Sequence, residues 1–153
     1  MDAAVLTIST RVAGGDAEDV SGPALVAALS AAGLHVVATD VVADDAAAIE
    51  EHLRDHVAAG RRFVVTTGGT GLTVDDVTPE ATRRVIEREA PGIAEALRRE
   101  AERHTPLGIL TRGLSGVAGR TLIVNLPGHP KAIDQLVRVL APLLEHAAGQ
   151  LER

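Results

Sequence analysis

Runs of β-branched residues long enough for a strand alternate with Ala- and Leu-rich runs long enough for a helix, from one end of this chain to the other. Ala3–Ser9 (AAVLTIS) is apolar and strand-length, and a polar, Gly-containing loop follows over Thr10–Asp19. SGPALVAALSAAG then predicts a helix, with Ser21 as its cap, Pro23 in its first turn and Gly33 as its stop. His35–Val42 (HVVATDVV) predicts a second strand. Asp44 or Asp45 caps the next helix, which runs to about Ala59 and ends at Gly60. Arg62–Thr67 is the third strand. After a glycine-rich loop, Thr78 caps a helix with Pro79 in its first position, running to about Ala90. Pro91–Gly92 breaks it, and a further helix continues to about His104. Leu107–Thr111 (LGILT) and Arg120–Leu126 (RTLIVNL) read as the fourth and fifth strands, and a closing helix runs from Pro130 to about Ala148.

Strands separated by helices imply right-handed crossovers and a mostly parallel sheet covered on both faces, an α/β architecture. The link GLSGVAG between the last two strands lacks a helix, which leaves an antiparallel hairpin or a long loop there. The 153 residues suit one domain over positions 1–153. No apolar stretch approaches the ~18 residues of a membrane span. Met1–Ser9 has neither a basic start nor a small-residue cleavage site, so it reads as a first strand and a cytoplasmic location is expected.

Composition narrows the ligand. A net charge of −6 argues against a general nucleic-acid binder, and Phe63, the only aromatic residue, cannot supply a stacking platform for bases. There is no cysteine, hence no disulfide, thiolate metal site or thiol nucleophile. Of fifteen basic residues, fourteen are Arg; the one Lys is Lys131, which marks a place for a compact ammonium or is a chance exception.

Ligands of open parallel sheets bind beyond the carboxyl ends of the strands. Four segments are expected there: Asp44–Asp45, the loop GGTGLTVDDV, Thr111–Arg112–Gly113, and NLPGHPK. Gly68, Gly69 and Gly71 expose backbone N–H groups suited to a phosphate or carboxylate, or simply form a tight turn. The loop is not a Walker loop, because the GK[ST] ending is missing. Asp75 and Asp76 beside such a cradle make sense with a cation between, and Mg²⁺ is typically held by one or two carboxylates plus phosphate oxygens. Asp44 is the candidate second arm, unless it only caps its helix.

In NLPGHPK, Pro127–Gly128 turns the chain and Pro130 opens a helix whose free N–H groups form an anion site beside Lys131. Arg112 adds a fork from the adjacent strand end, and the whole focus suits a small anionic ligand in an acidic protein. His129 lies inside this loop. His52 and His56 have the i, i+4 spacing of metal ligands, but within EEHLRDH a solvated face is the expected reading. His35, His104 and His146 have no companions, and Ser21–Gly22 caps a helix and is a candidate to reach a ligand.

The runs TTGGTGLTVDDVTPEAT (Thr66–Thr82) and TLIVNLPGHPKAI (Thr121–Ile133) resemble the MoaB/Mog family of molybdenum-cofactor biosynthesis proteins, and the resemblance extends over essentially the whole chain. It implies a three-layer α/β/α sandwich, assembled as a trimer or hexamer. It also implies an enzyme, a molybdopterin adenylyltransferase that takes molybdopterin and Mg-ATP and releases pyrophosphate. Carried over by position, the resemblance assigns Asp44 and Asp76 as the metal-holding, catalytic carboxylates. It assigns Gly68, Gly69, Thr70 and Gly71 to the pocket, with Ser21 and Gly22, and matches Thr111, Arg112, Pro127, Gly128, Pro130 and Lys131 to its anion-binding strand ends. A molybdenum-insertion protein is an expected partner. Where the family often has Ser-Asp-Arg after strand one, this chain has Ser9–Thr10–Arg11, and Thr111–Arg112 stands for the usual Ser-Arg. The alternative reading is a carrier that binds molybdopterin without chemistry. The paired carboxylates favour the enzyme, since a pure binder of a phosphorylated ligand gains nothing from added negative charge.

Overall fold

The computed structural model describes all residues from Met1 to Arg153. Six strands form one sheet: β1 (Asp2–Ile8), β2 (His35–Val42), β3 (Phe63–Thr67), β4 (Arg88–Glu89), β5 (Ser115–Ala118) and β6 (Thr121–Leu126), in the order β2-β1-β3-β6-β5-β4. The first four in that order run parallel, and β5 and β4 complete the sheet antiparallel. Helices α2 (Ser21–Ala31), α5 (Pro91–His104), α6 (Pro130–Leu140) and α7 (Leu144–Leu151) cover one face; α3 (Ala46–Ala58) and α4 (Thr78–Val85) cover the other.

The period-2 alternation of the strands divides the core. Val5, Phe63, Val65, Val124 and Leu126 point toward α2, α5 and α6, meeting Leu25, Leu29, Leu97, Ile133 and Leu136. Their neighbours Leu6, Val64 and Ile123 point the other way, onto Ile49 and Leu53 of α3 and Ala81 of α4. These central strands are buried on both sides, which explains their unbroken apolar runs. Truncating Leu6 or Ile123 to Ala would cost about 2–5 kcal/mol.

The predicted three-layer, mostly parallel architecture is the one observed, with four local differences. LGILT is not a strand: Pro106–Leu110 forms a 3-10 turn against the end of α5, with Gly108 so close to Ala101 that a Cβ would clash. The predicted strand Arg120–Leu126 is present as β6, and its antiparallel neighbour is β5, Ser115–Ala118, within the link that admitted a hairpin. The helix after the glycine loop stops at Val85 rather than about Ala90, and the two-residue β4 follows at the sheet edge. Pro142 interrupts the closing helix with a 3-10 turn over Ala141–Leu143. The predicted loop after strand one contains a short helix, α1 (Thr10–Ala13), capped by the Ser9 hydroxyl, which accepts from Val12 N–H at 3.3 Å.

Candidate active site at the strand ends

The chain leaves β1 toward β2 on one side and returns from β2 to β3 on the other, so the sheet has its switch point between the carboxyl ends of β1 and β3. A cleft of about 300 Å³ opens there, lined by Thr7, Ser9, Asp19, Ser21, Thr67, Gly68, Gly128 and Pro130.

Gly68, which lines it, and Gly69 beside it stand where nothing larger could fit. Gly68 has φ +101° and Gly69 φ +67°, the left-handed region that glycine adopts without strain. A Cβ on Gly68 would run into the Ile8 carbonyl oxygen; one on Gly69 would run into the Thr78 hydroxyl and lie 3.1 Å from Asp44 Oδ1. Gly68 N–H donates to the Leu126 carbonyl at 3.0 Å, and the Thr78 hydroxyl donates to the Gly68 carbonyl at 3.0 Å. The segment is thus both a tight turn and an open backbone cradle. Thr70 is buried, and Thr111 Oγ1 lies 2.9 Å from Thr70 Oγ1.

Two carboxylates border this loop. Asp45, not Asp44, caps α3, accepting from Ala48 N–H at 2.9 Å. Asp44 is thereby free to turn toward the loop, where Oδ2 accepts from both the Thr10 N–H and hydroxyl at 3.0 Å and Oδ1 faces Gly69. Asp76 is held the same way: its Oδ2 accepts from the Thr73 N–H at 3.1 Å and hydroxyl at 2.8 Å, beside Gly71. Each side chain is half-buried with one oxygen tied back and the other without a protein donor. Asp75 is exposed.

Asp44 Oδ1 beside Gly69 and the Asp76 carboxylate beside Gly71 are oxygens of the type that a hard divalent cation such as Mg²⁺ takes, with its other ligands from water and phosphate. Nowhere do three or more His, Asp or Glu side chains gather to hold a metal ion by themselves.

Thr111 and Arg112 reach the same edge by a route the sequence did not suggest. They precede β5, whose reversed direction brings its entry beside the exit of β6. Arg112, expected as an anion contact, is engaged within the protein at every guanidinium nitrogen. Nε donates to the Gly71 carbonyl at 2.8 Å, Nη2 to the Asp76 carbonyl at 2.7 Å, and Nη1 to the Glu80 carboxylate at 2.8 and 3.1 Å. It braces the loop that carries Asp76.

At the end of β6, Pro127 and Gly128 bring a second loop against the first. A Cβ on Gly128 would lie 3.2 Å from Gly68 Cα, and the Thr67 hydroxyl donates to the Pro127 carbonyl at 3.0 Å. Pro130 opens α6 without a side-chain cap; the Ala132 N–H donates to the His129 carbonyl at 3.0 Å, and Lys131 is exposed at this helix start. The Ser21 hydroxyl does not cap α2 as expected; it donates to the Gly128 carbonyl at 3.1 Å. Asp19 does the capping, accepting from Gly22 N–H at 2.8 Å and from the Thr7 hydroxyl at 2.9 Å.

Asn125, at the start of the NLPGHPK segment, is a buried pin. Its amide donates to the Thr66 and Thr82 hydroxyls at 3.0 Å, and its Oδ1 accepts from Leu114 N–H at 3.0 Å. His56 is not on a solvated face: it is 7% exposed, with Nε2 2.9 Å from Asp40 Oδ2 but poorly aligned for a hydrogen bond. Burial holds its pKa below the ordinary 6.5, outweighing the nearby Asp40 carboxylate. His52 Nδ1 lies 3.0 Å from the Ala48 carbonyl one turn back.

Thr10 stood out in the sequence as a departure from the family pattern, but its bond to Asp44 did not; Thr73, Asp19 and Glu80 were missed, although Thr73 and Asp19 each lie three residues from their local partners, a spacing that favours side-chain-to-backbone bonds. No helix is long and apolar enough to cross a membrane.

The chain is similar to known proteins over most of its length. The molybdopterin adenylyltransferase of Helicobacter pylori strain J99 is 37% identical over 145 residues, covering 93% of this chain and 82% of that protein. The molybdenum cofactor synthesis protein cinnamon of Drosophila melanogaster is 39% identical over 94% of this chain, which spans only 24% of that longer protein. A solved MogA structure superposes with a TM-score of 0.93 at 41% identity, covering 99% of both chains. The resemblance read from the two motifs is borne out, and the chain, matched over residues 4–146 by the family described as "Probable molybdopterin binding domain", belongs to that family.

Proposed function

We propose that this protein transfers the adenylyl group of Mg-ATP to molybdopterin and releases pyrophosphate. The observation that carries the reading is the pair of half-buried carboxylates from separate elements, Asp44 and Asp76, each bordering the Gly68–Gly71 loop with one oxygen left open. The relatives that bear the adenylyltransferase name support it.

The terminal phosphate of molybdopterin is already an anion, so its attack on the α-phosphorus needs no strong general base. The bond to the β-phosphate oxygen breaks as the new phosphorus–oxygen bond forms, and pyrophosphate leaves with that electron pair. Mg²⁺ bound by Asp44 and Asp76 would neutralise charge on the phosphate oxygens. The protein's own part is positioning and charge stabilisation. The open amides of Gly69, Thr70 and Gly71 and the start of α6, with the side chains of Thr70, Thr111 and Lys131, receive phosphate groups. Ser21 and Gly128 line the cleft, with Gly22 and Pro127 next to them in the chain, and Arg112 keeps the Asp76 loop in place. The protein works as a homo-oligomer, a trimer or hexamer, in the cytoplasm, and hands its product to a molybdenum-insertion protein.

Titration calorimetry with ATP and Mg²⁺ tests the reading against that of a passive carrier. The enzyme binds Mg-ATP with or without molybdopterin present. A chain that binds molybdopterin and gives no heat with Mg-ATP is a carrier.

A further inference from the structure

Thr10 and Asp44 lie 34 positions apart, yet they close a ring of hydrogen bonds on each other. The Thr10 N–H and hydroxyl both donate to Asp44 Oδ2 at 3.0 Å, and the Asp44 N–H donates back to Thr10 Oγ1 at 3.0 Å. The parallel pairing of β1 with β2 leads straight into this ring, since Ile8 pairs with Val42 and the Ser9 N–H donates to the Val42 carbonyl at 2.9 Å. We propose that Thr10 is a positioning residue for the divalent-ion site: by holding Oδ2 of Asp44 it leaves Oδ1 alone, aimed at the Gly69 side of the loop. The inference rests on the reading of Asp44 as a metal arm.

The physics is that of a rotor being stopped. The terminal torsion of an aspartate is broad and roughly two-fold, so an unheld carboxylate would present either oxygen, or both, in many orientations. Two donors on one oxygen select a single orientation and a one-oxygen contact. This suits Mg²⁺, which demands near-ideal octahedral geometry and tolerates little angular error. Thr73 does the same for Asp76 through its own N–H and hydroxyl, but there the two residues are three apart in one turn, a local motif. The Thr10 ring joins the ends of two strands, so it also fixes where Asp44 stands relative to β1. Groups that orient metal ligands in this way are typically worth 10–100-fold in metal affinity.

Thr10 is exposed, so its side chain can be changed without disturbing the core. Thr10→Val keeps the amide and the branched shape but removes the hydroxyl; Thr10→Ser keeps the hydroxyl. The probe is Mn²⁺, titrated into the full-length protein with ATP and followed by electron paramagnetic resonance. Thr10→Val should weaken Mn²⁺ binding about 10-fold and Thr10→Ser should stay within about 3-fold of wild type; both should fold, with Thr10→Val unfolding slightly earlier for the two hydrogen bonds it lacks. In turnover, Thr10→Val should need more Mg²⁺ for half-maximal rate while the rate at saturating Mg²⁺ holds. Wild-type Mn²⁺ affinity in Thr10→Val, or equal losses in the Val and Ser variants, would overturn the inference and leave the metal site standing. Wild-type Mn²⁺ affinity in Asp44→Asn would instead remove Asp44 as a metal arm, and the role of Thr10 with it.

Discussion

Arg112 donates to the backbone carbonyl of Asp76 at 2.7 Å, so a residue expected to grip an anion grips the loop that carries a carboxylate. With the Gly71 carbonyl and Glu80 as its other acceptors, the guanidinium serves three diverging groups, which a lysine ammonium at the same place cannot reach together. Arg112→Ala should lower stability by about 1–2 kcal/mol, since its carbonyl bonds count for more than the exposed Glu80 pair. It should also lower kcat about 10-fold or more by loosening Asp76, and Arg112→Lys should restore little of that. Denaturant melts and pyrophosphate release rates check both. A rise in KM alone, with kcat intact, would mean that Arg112 touches substrate directly.

The buried amide of Asn125 predicts a different phenotype. Replacing it with Ala strands the Leu114 N–H and leaves the Thr66 and Thr82 hydroxyls without their shared donor. Asn125→Ala should destabilise the protein by about 2–4 kcal/mol, measured by chemical denaturation. Activity per folded molecule should change far less than in the Asp76 or Arg112 variants.

The regular lattice was legible because the physics that sets it is local. The β-branched runs at 35–42 and 63–67 and the Pro and Gly stops around the helices needed no tertiary knowledge. LGILT misled because an apolar run of five says nothing about pairing; Pro106 and the contact of Gly108 with Ala101 fold it into a turn, leaving Leu107 and Ile109 exposed. β4 is two charged residues, too short to leave a pattern. At the site, the positions of Asp44, Asp76 and the glycine loop were readable, and Asp45 as the helix cap was one of two open choices. What could not be read were long-range partners. The Thr10–Asp44 ring, the Arg112 brace and the bond from Ser21 to the Gly128 carbonyl all depend on which strand lies beside which.

His56 gives the fold a pH dependence whose sign can be worked out. Its folded pKa lies below 6.5, because burial between α3 and β2 disfavours the charged ring more than Asp40 favours it, with Arg61 and His52 adding to the depression. The unfolded chain therefore binds more protons in this range, and stability falls as pH drops through about 6.5 toward the folded pKa. Between pH 7.5 and 5 the melting temperature should decline, and His56→Leu should flatten that decline. An equal slope in the variant would assign the effect to other groups.

The central claim is that the paired carboxylates serve nucleotidyl transfer rather than simple retention of a pterin. The direct measurement is one incubation of the protein with molybdopterin, ATP and Mg²⁺, followed for pyrophosphate, run beside Asp76→Ala. Wild-type protein should release one pyrophosphate for each molybdopterin adenylylated, while Asp76→Ala still binds molybdopterin and releases none. Bound molybdopterin with no pyrophosphate from the wild type, or equal release from the variant, would contradict the account.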